Sequence, residues 1–263
     1  MSGFSPDWLA LREPVDHASI NAELRRAFLA AIRREGALRL VDIGCGTGSN
    51  MRGLAPWLDG GQTWTLLDYD ARLLNHAAAS ATERGIAHET RHADLSSADL
   101  VPLFAGADAI TSAAFFDLAS QAAIDRIAEA TVAAGAVFYT VLTYDGIAAW
   151  LPETDFAGGL RTGFNRHQTS DKGLGPALGP AATDALTVAF ERRGYRVATG
   201  PSPWVITARH AVLRNALDEG WATAAVEAGG LAEADADGWL ATRRDNPDAA
   251  TIVGHQDLLA LPA

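Results

Sequence analysis

Apolar and polar positions along this chain follow two rhythms. Short apolar runs at 38–43, 63–68 and 107–112 read as strands, a further strand is expected at 87–92, and segments of helical period at 48–58, 71–84 and 119–133 lie among them. Ahead of the first strand, Ile20, Leu24, Ala27, Phe28 and Ala31 recur at helical spacing, with Asp16 as the expected N-cap. A fifth run, 136–142, is apolar nearly throughout, as a central strand should be. Strands alternating with helices predict an α/β fold around a mainly parallel, doubly wound sheet.

The rhythm breaks at 143–180, where glycines, prolines and polar residues show no sustained period. Loops of this length in compact domains are usually functional or disordered. Regularity returns with a helix at 181–194, which Pro180 is suited to start. A strand over 195–206, interrupted near Gly200-Pro201, is expected next, followed by helical segments at 207–227 and 232–243 and a last strand at 251–255. With no internal repeat or low-complexity linker, the 263 residues read as one domain.

Charge and cysteine content narrow the function. A formal net charge of −11 would repel a phosphate backbone, and the arginine pairs are dispersed, so nucleic acid is not an expected partner. Cys45 is the only cysteine, which rules out an intrachain disulfide or a cysteine-built zinc cage, and the histidines show no metal-ligand spacing. No apolar run approaches a membrane span and the first residues lack a signal-like segment, so a cytoplasmic protein is expected.

The chemistry concentrates in 40–50, Leu-Val-Asp-Ile-Gly-Cys-Gly-Thr-Gly-Ser-Asn, and in the acidic strand end Leu66-Leu67-Asp68-Tyr69-Asp70. Glycines in such a turn let the backbone approach a ligand closely. An acid about 20 residues on is placed to hold a ribose diol. The spacing Gly44-x-Gly46-x-Gly48 differs from the dinucleotide fingerprint, and Asp42 would repel a pyrophosphate while suiting a cationic ligand.

These residues resemble the cofactor site of class I S-adenosylmethionine (SAM) methyltransferases. The resemblance implies a Rossmann-like methyltransferase fold: a seven-stranded, mostly parallel sheet with helices on both faces and a cover after the fifth strand. It divides the chain into an N-terminal helical cover (1–35), a cofactor-binding half (36–142), a substrate-cover insertion (143–180) and the remaining half of the sheet (181–263). It also implies that Asp42, Gly44, Cys45, Gly46, Asn50, Asp68, Tyr69, Asp94, Leu95 and Ser112 surround SAM, or its product S-adenosylhomocysteine (SAH), with no metal. In the family the first acid holds the methionine amino group, the second the ribose, and a third near Asp94 the adenine amino group. The N-terminal segment is expected to fold over this pocket, with Arg12 reaching toward the methionine carboxylate.

Phe115, Tyr144, Trp150, Asn165, Gln168 and Lys172 are the expected substrate contacts. His167 is the candidate base, because imidazole accepts a proton near neutrality, and Asp117 is its candidate partner. His255 and the histidines at 17, 76, 88 and 210 have no partners clustered in sequence. No Asn/Asp-Pro-Pro-Tyr/Phe motif follows the fourth strand, so methylation of DNA bases or glutamine has no support. The expected activity is methyl transfer to oxygen or nitrogen of a small molecule, by a monomer or homodimer. A non-catalytic methyltransferase-like binding protein and an NAD(P)-dependent oxidoreductase remain as alternatives.

Overall fold

The computed structural model describes residues 4–33, 36–171 and 173–263. Helix α1 (Pro6–Ser19) starts on Ser5, whose side chain accepts the Trp8 N–H, with Pro6 in its first turn. Helix α2 (Ala22–Ala31) is capped by Asn21, which accepts from the Glu23 and Leu24 amides. The cap expected at Asp16 is therefore corrected. Asp16 lies within α1, buried and paired with Arg12 (2.8 Å), because the chain leaves the helix only at Ile20.

The chain then alternates through β1 (Leu38–Ile43), α3 (Ser49–Leu54), β2 (Gln62–Asp68), α4 (Ala71–Glu83), β3 (Ala87–His92), α5 (Leu100–Phe104), β4 (Ala109–Ala113), α6 (Gln121–Ala134) and β5 (Val137–Leu151). Helices α7 (Ala157–Gln168) and α8 (Ala182–Glu191) follow, then β6 (Arg196–Pro201), β7 (Trp204–Ile206), α9 (Ala211–Glu227), α10 (Glu233–Asp245) and β8 (Ala250–Leu261).

The sheet order is β3-β2-β1-β4-β5-β8-β6, with β7 also paired to β8. Strands β1 to β5 run parallel, while β8 is antiparallel to its neighbours. Eight strands are seen among the described residues where seven were expected. The extra one arises because Ser202-Pro203 divides 195–206 into two strands that pair with different stretches of β8.

Side-chain alternation along β5 builds a core on both faces. Tyr139 stacks on Phe28 of α2 (centroids 4.6 Å), whereas Phe138 packs on Phe190 of α8 (4.5 Å). Beyond its parallel stretch β5 does not stop at Leu142. It continues beside β8 to Leu151 through register shifts at 140–143 and 144–148. Leu142 adopts φ 61°, and its N–H is held by Asp257 Oδ1 (2.9 Å), while Asp257 Oδ2 accepts the Asn21 N–H (2.7 Å). One buried carboxylate thus ties the β5 bulge to the cap of α2.

The segment expected as an irregular cover therefore contains the end of β5 (143–151) and helix α7 (157–168), with irregular stretches between and after them. Gly163 serves the close packing of α7 on α9, since a Cβ there would lie 2.6 Å from Ala225 Cα. Gly163→Ala should lower stability by about 1–3 kcal/mol through overpacking. Urea unfolding checks this, and an unchanged midpoint would contradict the packing.

Candidate cofactor and substrate site

β1 carries Asp42 into the sheet interior and then releases the chain into the glycine turn. Gly44 and Gly46 have φ of 60° and 53°, a region side-chain-bearing residues avoid. Both are also closely covered. A Cβ on Gly44 would meet the Phe115 ring at 2.5 Å, and one on Gly46 would meet Leu9 Cδ1 at 3.3 Å.

Asp68, the last residue of β2, organises the turn. Its Oδ2 accepts the Gly46 N–H (2.8 Å) and its Oδ1 the Asp70 N–H (2.9 Å). Burial pushes its pKa up, against the amides that favour the charged form. Asp42 is fully buried. Its Oδ1 accepts from Asn50 Nδ2 (2.7 Å) and Thr111 Oγ1 (2.9 Å), while Oδ2 is buried without a hydrogen-bond partner. Burial, reinforced by the Asp68 charge, raises Asp42 to about 7 against the pull of Asn50 and Thr111. Two acids therefore share one enclosed corner, and a positive ligand group there would relieve both.

Helix α1 closes over this corner through polar ties to α3. Glu13 pairs with Arg52 (Nε to Oε1 2.8 Å), and His17 Nε2 donates to the Ser49 carbonyl (2.9 Å). Helix α1 also lies against the turn itself, with Leu9 on Gly46.

A protein-family comparison matches residues 40–135 to the family described as "Methyltransferase domain". No curated protein matches the chain by sequence. Among solved structures, the cyclopropane synthase MmaA2 from Mycobacterium tuberculosis is similar, with a TM-score of 0.55 at 13% identity over 98% of this chain and 94% of its own. A methyltransferase candidate from Bacillus halodurans C-125 gives 0.56 at 12%, covering 92% of this chain and 100% of its own. The mycolic acid cyclopropane synthase CmaA1, complexed with SAH and CTAB, gives 0.52 at 12% over 90% and 83%. These likenesses establish a shared fold, and the matched segment holds most of β1, the glycine turn and Asp68.

Residues 40–135 thus match a methyltransferase domain, and the chain has the Rossmann-like methyltransferase fold.

The other expected cofactor residues of the methyltransferase domain are placed unevenly. Tyr69 is half exposed, and its carbonyl accepts from His92 Nε2 (2.7 Å). Asp94 is exposed, and Ser96 holds its carboxyl below the usual range. Leu95 is buried, with its carbonyl taken by Arg126 (3.0 Å). The Cys45 thiol is buried, and that burial pushes its pKa up. Ser112 is fully buried and bonded to Thr140 Oγ1 (2.7 Å). That bond ties β4 to β5 and leaves the hydroxyl committed inside the sheet.

On the substrate side, Asp117 is buried in the short 3₁₀ turn Phe116–Leu118, and its charge is felt at Tyr144. Tyr144 is buried and donates its hydroxyl to Asn165 Oδ1 (2.7 Å), and Asn165 Nδ2 donates to the Gly146 carbonyl (3.2 Å). Burial pushes the Tyr144 pKa up. Trp150 lies in an aromatic core with Trp221 (5.2 Å) and Trp239 (5.9 Å). Packing therefore accounts for its position, and it offers no open stacking face. His167 is partly exposed at the end of α7, 3.8 Å from Glu227, and Gln168 follows it at the last residue of that helix. Lys172 lies outside the described residues.

Sequence reasoning missed His255. It pairs with Tyr144 in the β5–β8 ladder and is 6% exposed. Only the antiparallel return of β8 brings it to the carboxyl end of β5, so no local pattern marks it. Among the described residues no group of three or more His, Cys, Asp or Glu is arranged to hold a metal ion, and no helix is long and apolar enough to cross a membrane.

Proposed function

We propose that the protein transfers a methyl group from SAM to an oxygen or nitrogen of a small molecule. The observation that carries this reading is the pair of buried acids, Asp42 and Asp68, flanking a positive-φ glycine turn in a methyltransferase domain. SAM, when bound, supplies an electrophilic methyl group on a sulfonium.

The residues fit such a ligand. Asp68 would hold the ribose hydroxyls, and Tyr69 and Asp94 the adenine. Asp42, with Oδ2 unbonded, would complement the positive amino end. Leu9 and Phe115, now lying on the glycines, would wall the pocket and exclude water. Holding acceptor and methyl group in line supplies much of the rate. A hydroxyl or amine acceptor must also lose a proton. Asp117, beside Tyr144 and two residues from Phe115, is better placed to orient or receive it than His167 near Glu227.

Calorimetric titration with SAM, SAH and NAD in parallel tests the cofactor, and transfer of a labelled methyl group from SAM to a panel of small acceptors tests the reaction. Binding of NAD alone would overturn the reading. Cofactor binding without any transfer would favour a non-catalytic relative. Asp68→Ala should weaken SAH binding by about 1–3 kcal/mol, because it removes a charge-assisted partner. Parent-like affinity in that variant would remove Asp68 from the site.

A further inference from the structure

Arg12 and His255 come from opposite ends of the chain and meet at one indole. The Arg12 guanidinium carbon lies 5.3 Å from the centre of the Trp204 ring, and the His255 ring is 4.9 Å from the same tryptophan. Tyr144 lies on the other side of His255, at 6.2 Å between ring centres. Helix α1, β5, β7 and β8 thus converge on one small aromatic-walled seam.

The polar groups in that seam are incompletely paired. Arg12 spends its Nε on Asp16 (2.8 Å), yet Nη1 and Nη2 have no hydrogen-bond partner among the described residues, although the side chain is only 13% exposed. His255 Nδ1 is buried and also lacks a partner. Burial and the nearby Arg12 charge push His255 down to about 3, so the imidazole stays neutral. Asp16, whose own pKa burial pushes up, offsets Arg12 from one side only.

A sequestered guanidinium with its fork unbonded is matched in geometry by a carboxylate, whose two oxygens accept in parallel. The unpartnered, buried Nδ1 of His255 beside it is costly unless a ligand atom meets it. The position is also telling. Leu9 covers Gly46 of the cofactor turn, and Arg12, three residues on, shares that face of α1.

We propose that Arg12 and His255 form a carboxylate-binding site in this seam, and that it takes the acid group of a planar organic acid that is the methyl acceptor. This rests on the methyl-transfer reading above. The same chemistry is also present at the methionine end of the cofactor, so the test separates the two sources.

The test uses the full chain and three probes: SAH, 5′-methylthioadenosine (which has no carboxylate) and benzoate added to SAH-saturated protein. Benzoate is expected to bind the parent and to move the His255 ring nitrogen signals toward the protonated form. Arg12→Met should weaken benzoate at least about tenfold, the size of one lost charge-assisted contact, with SAH affinity unchanged. His255→Asn should weaken it severalfold, and Arg12→Lys should retain part of the binding.

Equal benzoate binding by parent and Arg12→Met, or no benzoate binding to the parent, would overturn the acceptor assignment. If Arg12→Met weakens SAH but not methylthioadenosine, the carboxylate belongs to the cofactor, which also overturns it. Failure of the parent to bind SAH would overturn the cofactor reading instead, and benzoate titrated into the free protein would then decide the site on its own.

Discussion

Replacing Arg243 with alanine should destabilise the protein by about 3–5 kcal/mol, the usual result of breaking a buried ion pair from one side. Arg243 of α10 and Asp218 of α9 are 5% and 2% exposed at the side chain and meet at 2.9 Å (Nε to Oδ2). The guanidinium also donates to the Leu151 carbonyl (2.9 Å), the Ala250 carbonyl (3.1 Å) and Thr251 Oγ1. One side chain thereby fastens the end of β5 and the start of β8 to two helices. Without it, the buried Asp218 carboxylate keeps only the Thr251 hydroxyl (3.3 Å), and the Leu151 and Ala250 carbonyls lose a donor. Burial already pushes the Asp218 pKa up, with Arg243 holding it back. The loss should therefore be largest at high pH and shrink as acid protonates Asp218. Urea unfolding of Arg243→Ala, Asp218→Leu and Arg243→Met/Asp218→Leu measures this. The double variant should recover much of the loss, because an apolar pair of similar size leaves no orphan charge. A single-variant cost below about 1 kcal/mol, the range of exposed pairs, would show that the network carries little of the stability.

The contrast between that network and the glycine turn explains what the sequence could reveal. The turn is local. An apolar run, an acid, three glycines and a second acid at the next strand end suffice to place Asp42 and Asp68, and β1 and β3 fall where the pattern put them, at Leu38–Ile43 and Ala87–His92. The Arg243–Asp218 pair joins residues 25 apart on two helices, and nothing in either helical pattern signals that those charges face inward. Helix α7 was hidden because its glycines, which read as loop punctuation, are the contact surface for Ala225 and Gly230. The far half of β5 was hidden because its bulges break the alternation at Tyr144-Asp145-Gly146. Arg12 and His255 are farther apart still, brought together only by the antiparallel closure of the sheet. Local chemistry was legible, and groups that meet through β8 were not.

Asp42→Asn should make the ligand-free protein more stable above neutral pH while impairing cofactor binding. In the native state burial, with the Asp68 charge adding to it, holds the Asp42 pKa at about 7, well above its unfolded value. Between these two values the native state keeps a proton that the unfolded chain releases. The stabilising contribution is therefore fully present below the unfolded pKa and is lost as pH rises through about 7. A shift of roughly three units corresponds to about 4 kcal/mol. Asparagine retains an oxygen to accept from Asn50 and Thr111 but never ionises. The melting temperatures of variant and parent should coincide near the unfolded pKa and separate progressively toward about pH 8, with the variant higher. Asp16, Asp68, Asp218 and Asp257 also have pKa values pushed up by burial, so each protein alone will lose stability with rising pH. The difference between the two melting curves isolates Asp42. Binding should run the other way: SAM affinity of the parent should rise as Asp42 ionises, whereas that of the variant should be weaker and flat across the same range. Parallel melting curves would show that Asp42 does not titrate in this window. Separated curves with identical SAM affinities would show that its buried charge serves something other than the cofactor. The expected pair of results is a residue that costs stability where its charge is useful.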